Sequence, residues 1–307
     1  MDRQAGSADA FFMLLAQRAE AVTGFLDRAL STLPRDNELE RPKRLVDAMR
    51  HGALNGGKRL RPFLVLETAA LFGAPDDEAM RIAAALECIH CYSLVHDDLP
   101  MMDDDDMRRG QPTVHRAFDE PTAMLAGDAL LTLAFDLAAS DTEPSRAAAH
   151  LAIVSELARA SGFGGMAGGQ MLDLSAAGEQ PGEERIIRLQ AMKTGALIRF
   201  ACRAGPLLAG APADDLERMT AYGEALGLAF QIADDLLDIE GDAAELGKAT
   251  GKDAGAGKAT LVALHGAEWA RRQLDGLLEQ AHVLLEPYGE DALVLREAAR
   301  FVANRSI

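Results

Sequence analysis

His96-Asp97-Asp98-Leu99-Pro100-Met101-Met102-Asp103-Asp104-Asp105-Asp106-Met107-Arg108-Arg109-Gly110 ends a long helical pattern, and the rest of the chain is arranged around it. Six aspartates lie between Asp97 and Asp106, and two arginines follow at once. At ~4 Å and an effective dielectric near 20, each pair of like charges costs roughly 4 kcal/mol and each unlike pair gains as much. The run therefore reads either as a solvated acidic loop or as a set of ligands for a cation. Carboxylates without Cys or His among them suit Mg²⁺ rather than zinc or copper. The EF-hand alternation D-x-[DN]-x-[DN]-G is missing. Adjacent arginines point to a phosphate-bearing ligand, which Mg²⁺ and guanidinium commonly hold together. On an unbroken helix Asp97 and Asp103 lie roughly 240° apart and face different ways. Pro100 cannot continue a helix, so the break it forces near Asp98 is what lets the two converge.

Periodicity on both sides is helical. Apolar residues at Phe11, Leu14, Leu15, Ala19, Val22, Leu26 and Leu30 recur at threes and fours over ~9–33, with Pro34 beyond. Further helices are expected over ~41–54, from Pro62 to near Gly73, and from an Asp76 cap through Ile82, Leu86, Ile89 and Leu94 to the acidic stretch. The pattern continues over ~122–139, ~144–160, ~166–176, ~182–203, ~213–240, ~258–286 and ~290–304. No strand, low-complexity linker or fixed repeat stands out. The connections are short, which predicts an all-α chain of one domain, residues 1–307.

Composition agrees. Of 307 residues 49% are apolar, with Ala and Leu dominant, which favours helix. A net charge of −17 argues against nucleic acid and anionic membrane as partners. No apolar run approaches 18 residues, so no membrane insertion is expected. The N-terminal segment lacks the basic region of a signal, and a cytoplasmic location is expected. Cys88, Cys91 and Cys202 form no disulfide framework. Cys88-Ile89-His90-Cys91 lies within a helical pattern, so its cysteines read as small buried side chains.

Several other motifs carry possible chemistry. Gly56-Gly57-Lys58-Arg59-Leu60-Arg61-Pro62 sets three cations beside two glycines, suited either to a phosphate or to a plain basic loop. It is no P-loop, because Arg59 stands where Ser or Thr is needed and no strand precedes it. Gly162-Phe163-Gly164-Gly165-Met166-Ala167-Gly168-Gly169 lacks the βαβ setting of a dinucleotide site and reads as helix–helix packing. Gln170 and Asp173 follow on one helix face. Gln231, Asp234 and Asp238 share another face, with Asp234 and Asp238 about 40° and ~6 Å apart, close enough to share a divalent ion. Gly247-Lys248, Gly251-Lys252-Asp253 and Gly257-Lys258 read as a closing loop or an exposed connector. His90, two turns before Asp97, reads as structural or functional alike.

Taken in order, Gly-Gly-Lys-Arg-Leu-Arg-Pro, Asp-Asp-x4-Asp with Arg-Arg-Gly, Gly-Gly-Gln-x2-Asp, Lys193-Thr194, and Gln-x2-Asp-Asp-x2-Asp with its Gly-Lys pairs resemble the trans-isoprenyl diphosphate synthases. The resemblance runs from roughly residue 40 to 265 and looks closest to the bacterial-type farnesyl diphosphate synthases, whose first aspartate motif has the same two-residue expansion. It implies an isoprenoid-synthase-type helical bundle around a deep central cavity, a homodimer, and two aspartate motifs facing each other. It further implies that Asp97, Asp98, Asp103, Asp234 and Asp238 hold Mg²⁺, three ions in all, on an allylic diphosphate. Arg108, Lys193 and Lys258 would contact that diphosphate and Lys248 close over it. Lys58, Arg61, His90 and Arg109 would seat isopentenyl diphosphate. Thr194 and Gln231 would direct dipoles at an allylic carbocation, and Tyr92 would floor the product cavity.

The residue types suit that chemistry. Cations stabilise a departing diphosphate, and an apolar helical pocket shields a carbocation from water. No protein base is needed if the departing diphosphate takes the proton, and no convincing acid–base pair stands in the sequence. The implied reaction is head-to-tail condensation of isopentenyl diphosphate with dimethylallyl or geranyl diphosphate to farnesyl diphosphate. A geranylgeranyl (longer-chain) diphosphate synthase is the alternative. A terpene cyclase usually lacks the second aspartate motif, and a silent subunit has no need of intact aspartates and lysines.

Overall fold

The computed structural model describes residues 2–140, 143–176, 181–245 and 260–304, with backbone alone at 2–8 and 240–245. They group into two compact units, Met1–Val154 with Leu207–Ala209 and Ser155–Pro206 with Gly210–Ile307. The helices are α1 (Asp2–Ala29), α2 (Lys43–Leu54), α3 (Leu60–Phe72), α4 (Asp76–Asp97), α5 (Val114–Ala117), α6 (Glu120–Ala139) and α7 (Ala147–Ser161), then α8 (Met166–Ser175), α9 (Glu183–Gln190), α10 (Ala196–Ala209), α11 (Ala213–Glu245), α12 (Leu261–His265), α13 (Ala267–Leu284) and α14 (Leu293–Ala303). The all-α expectation is met.

In the first unit α4 is the central element, packed by α1, α2, α3 and α6. Ile82, Leu86, Cys88, Ile89 and Cys91 are fully enclosed, so α4 is apolar around most of its circumference, as a core helix must be. Both cysteines of the C-x-x-C are thus the small buried side chains expected, and Cys202 is buried as well. Asp76, Asp77 and Glu78 lie in the first turn, where carboxylates oppose the helix dipole. Asp76 does not cap the helix, however. The capping position falls on Pro75, which makes no side-chain bond there. Glu78 is buried and holds both Arg146 (2.6 Å) and His150 (3.1 Å).

Two expectations need correction. A two-stranded antiparallel hairpin is present, β1 (Met107–Arg108) with β2 (Gln111–Pro112). Its two-residue turn, Arg109-Gly110, has φ of 53° and 77°, the double positive φ that matches strand twist. Strands of two residues are too short to leave a periodicity. Second, α6 is long and apolar enough to cross a membrane by length and composition. Glu120, Asp128 and Asp136 punctuate its apolar sequence, which hides the run in the sequence. Its Ala123, Ala126, Leu130, Ala134 and Leu137 face are instead core.

In the second unit α11 is central, packed by α13, α14 and the turn between α9 and α10. Tyr222 is fully buried and donates its hydroxyl hydrogen to the Leu295 carbonyl on α14 (2.7 Å), satisfying the polar end of a large core aromatic. The single helix expected over ~182–203 is interrupted at Ala191–Gly195 by one π turn. That expected over ~258–286 breaks at Gly266, whose φ is 84°.

Candidate active site

In the first unit, α4 ends at Asp97, where Pro100 was expected to stop it. The chain then folds back, and the Asp103 N–H donates to the Asp97 carbonyl (2.8 Å) while that of Asp104 donates to Leu99 (3.2 Å). Asp97 and Asp103 are thereby brought side by side at the helix end. Asp98 differs from its neighbours. It is 3% exposed, and its Oδ1 accepts from Arg108 Nε at 2.6 Å. Burial raises its pKa, with the Arg108 guanidinium working the other way. Arg108 also donates to Asp105 Oδ2 at 3.0 Å.

The hairpin turns the next residue elsewhere. Arg109 Nη1 donates to the Gly56 carbonyl (2.5 Å) and to Asn55 Oδ1 (3.2 Å). Its guanidinium covers Gly57, where an added Cβ would lie 2.7 Å from Arg109 Cζ, and the Gly57 φ is +111°. The positive φ favours glycine there. Lys58, exposed, and Arg61, partly buried, extend from the same loop. His90 lies within this cationic field. Burial first, then Arg61, Arg109, Arg59 and Arg108, hold its pKa well below the ordinary imidazole value. The ring is therefore neutral at pH 7 and offers a hydrogen bond rather than a charge. Arg61, Arg108 and Arg109 thus share one neighbourhood with His90, and Lys58 belongs to the loop that Arg109 grips. Tyr92 makes an edge contact with His96 (centroids 5.8 Å), and burial and then the Asp97 charge raise its pKa.

In the second unit the π turn carries Lys193 and Thr194. π turns inside helices are frequent at functional sites. Gly168 and Gly169 of α8 press against the turn. A Cβ at Gly169 would lie 2.2 Å from the Lys193 nitrogen. The glycine run is thus the packing device expected of it. Lys193 Nζ donates to Asp173 Oδ2 on α8 (2.6 Å), and Thr194 Oγ1 donates to Gln231 Oε1 on α11 (3.1 Å). Gln231 Nε2 donates in turn to Asp235 Oδ1, and Gln190 Nε2 to Asp235 Oδ2, each at 2.9 Å. Burial pushes the pKa of Asp235 up to about 6, against the pull of the two amides. Asp234 and Asp238, expected on one face of α11, are exposed. Lys248 and Lys258 lie outside the described residues.

Two residues carried no signal in the sequence. In the second unit Gln190 reads as an ordinary helical residue, although it bonds Asp235, and in the first unit Arg59 reads as one more loop cation, although it is buried. Among the described residues no group of three or more His, Cys, Asp or Glu side chains is spaced to hold a metal by itself.

The family model described as Polyprenyl synthetase matches residues 42–290. The farnesyl diphosphate synthase of Escherichia coli (strain K12) is 46% identical over 92% of this chain and 94% of its own length. The geranylgeranyl diphosphate synthase of Cyanophora paradoxa is 39% identical over 95% of each. Among solved structures, an apo FPP/GFPP synthase from Zymomonas mobilis superposes with a TM-score of 0.86 at 42% identity, covering 96% of this chain and 99% of that one. With a match of this extent, the chain belongs to the polyprenyl synthetase family.

Proposed function

We propose that this chain is a prenyltransferase, a farnesyl diphosphate synthase that joins isopentenyl diphosphate head-to-tail to dimethylallyl and then geranyl diphosphate. The observation that carries the reading is the hairpin. Two consecutive guanidiniums turn to two different places, Arg108 to the Asp98 and Asp105 carboxylates and Arg109 to the Gly56 loop. Two guanidiniums directed to two places can each receive one diphosphate, as a reaction between two diphosphates needs. The strong identity to a farnesyl diphosphate synthase supports the substrate class, and the uninterrupted match across both units supports one catalytic domain.

The donors fit Mg²⁺. Asp97, Asp103, Asp234 and Asp238 offer carboxylate oxygens only, and hard cations with incomplete protein coordination take their remaining ligands from phosphate and water. Asp98, its Oδ1 engaged by Arg108, serves as that arginine's anchor. When bound, three Mg²⁺ ions would neutralise the charge that builds on the departing diphosphate. The family resemblance assigns Arg108, Lys193, Lys248 and Lys258 to the same diphosphate as further cationic donors. Lys58, Arg61, His90 and Arg109 orient isopentenyl diphosphate. As the allylic C1–O bond breaks, the isopentenyl double bond forms the new carbon–carbon bond to C1, and the departing diphosphate takes the proton lost from C2. Thr194 and Gln231, held by Asp235 and Gln190, present fixed dipoles to the cation.

Tyr92 forms the floor that stops elongation at fifteen carbons. The longer-chain reading draws support from the geranylgeranyl diphosphate synthase relative, and product sizing decides between them. We further place the enzyme in the cytoplasm as a homodimer. The test is purified protein with Mg²⁺, isopentenyl diphosphate and dimethylallyl or geranyl diphosphate. Farnesyl diphosphate is the expected product, and Asp97→Ala and Asp234→Ala should each nearly abolish turnover with helicity retained. A folded wild-type chain without turnover would refute the assignment.

A further inference from the structure

The cation between Lys58 and Arg61 takes no part in the scheme above, yet it is the most deeply buried of them. Arg59 and Glu87 form an ion pair whose side chains are 1% and 2% exposed. Arg59 Nη1 donates to Glu87 Oε1 and lies 3.8 Å from Cys91 Sγ, and Nη2 donates to the Ala53 carbonyl at 2.6 Å. One guanidinium thus joins the end of α2 to two successive turns of α4. Its own backbone is left-handed, with φ 49° and ψ 39°. For a residue with a Cβ that is a strained conformation, kept only where surrounding contacts over-determine it. Gly56 and Gly57 just before it have φ of +89° and +111°. The loop therefore has no intrinsic preference for its shape, and something must impose it.

We propose that Arg59 and Glu87 are positioning residues for isopentenyl diphosphate, a buried clamp that fixes the Gly56–Arg61 loop so that Lys58 and Arg61 converge with His90. His90 lies one turn beyond Glu87 on α4. Arg109 grips the same loop at the Gly56 carbonyl, so the loop is held at both ends. A purely stabilising role explains the pair poorly. Buried ion pairs are often replaceable by apolar side chains without loss of stability. No apolar side chain, however, can bond the Ala53 carbonyl and Glu87 together and keep residue 59 left-handed. The inference rests on the function proposed above.

The test is steady-state kinetics of the full-length enzyme with each substrate varied in turn. Glu87→Gln keeps the shape and removes the charge. The KM for isopentenyl diphosphate should rise roughly tenfold, with the KM for geranyl diphosphate and kcat changed less than about twofold, the pattern of lost ground-state binding. Should Glu87→Gln fold poorly, the double variant Arg59→Met/Glu87→Leu restores an apolar core and should show the same split. An active wild-type enzyme whose folded variants keep a normal KM for isopentenyl diphosphate overturns the clamp and leaves the enzyme assignment standing. An equal rise in both KM values also overturns it, since that marks general loosening. A wild-type chain that does not turn over refutes the assignment and the clamp together.

Discussion

Replacing Gly169 by alanine should disable the enzyme without unfolding it. The added Cβ would meet Lys193 N at 2.2 Å, Lys193 Cα at 2.6 Å and the Met192 carbonyl carbon at 2.8 Å, whereas ordinary contact begins near 3.4 Å. These are backbone atoms, so no rotamer change relieves the clash, and α8 must part from the π turn by roughly 1 Å. Overpacking of this kind costs about 1–3 kcal/mol of stability. The Lys193–Asp173 bond runs between the same two elements and the Thr194–Gln231 bond leaves the turn for α11. Both are therefore displaced with it. A misplacement near 1 Å in a catalytic group can cost about 10²-fold in rate. The assay is kcat for product formation with saturating substrates, alongside a denaturant melt. Gly276→Ala is the control, because nothing lies within 4 Å of its Cβ position. On exposed α13 it should gain about 0.5–1 kcal/mol and keep full activity. A Gly169→Ala enzyme that melts normally and retains wild-type kcat would refute the close-packing argument.

Three further outcomes are expected. Tyr92→Ala removes the ring that rests on His96 and should lengthen the product, as read by chromatography of the dephosphorylated alcohols. An unchanged chain-length distribution removes Tyr92 from the floor. Asp98→Asn weakens a charge-assisted bond to Arg108 of the kind worth about 1.5–3 kcal/mol. It should raise the KM for the allylic substrate about tenfold, and an unaltered KM would deny Asp98 its anchoring role. Glu78 tests acid stability. Burial raises its pKa, but Arg146 and His150 outweigh it and leave the pKa lowered from 4.5. Its stabilisation is therefore fully present above that value and is lost as pH falls through the lowered one. Glu78→Gln should lower the melting temperature at neutral pH and flatten its fall below about pH 4.5, whereas a parallel downward shift at every pH would contradict the linkage.

The helix-ending role of Pro100 was legible because proline's geometry is local, and from it followed the meeting of Asp97 and Asp103. That Asp234 and Asp238 share a face followed from helical spacing, because α11 is continuous through both. The π turn at Ala191–Gly195 was not legible, since the short α9 before it gives too few apolar positions to fix the phase that the extra residue changes. Arg59 was hidden for another reason. Its burial depends on Glu87, 28 residues away on another helix, and no local rule tells a buried arginine from its exposed neighbours. The hairpin left only Gly110 as a turn signal, with Arg109 taking the unfavoured left-handed position beside it.

One peptide bond joins Arg108 to Arg109, which holds their Cα atoms about 3.8 Å apart. Under the proposed function, that bond ties the two diphosphate contacts to one tight turn, and whatever tilts the hairpin displaces both arginines together. A single glycine inserted between them would leave each guanidinium chemically whole and let the two move independently.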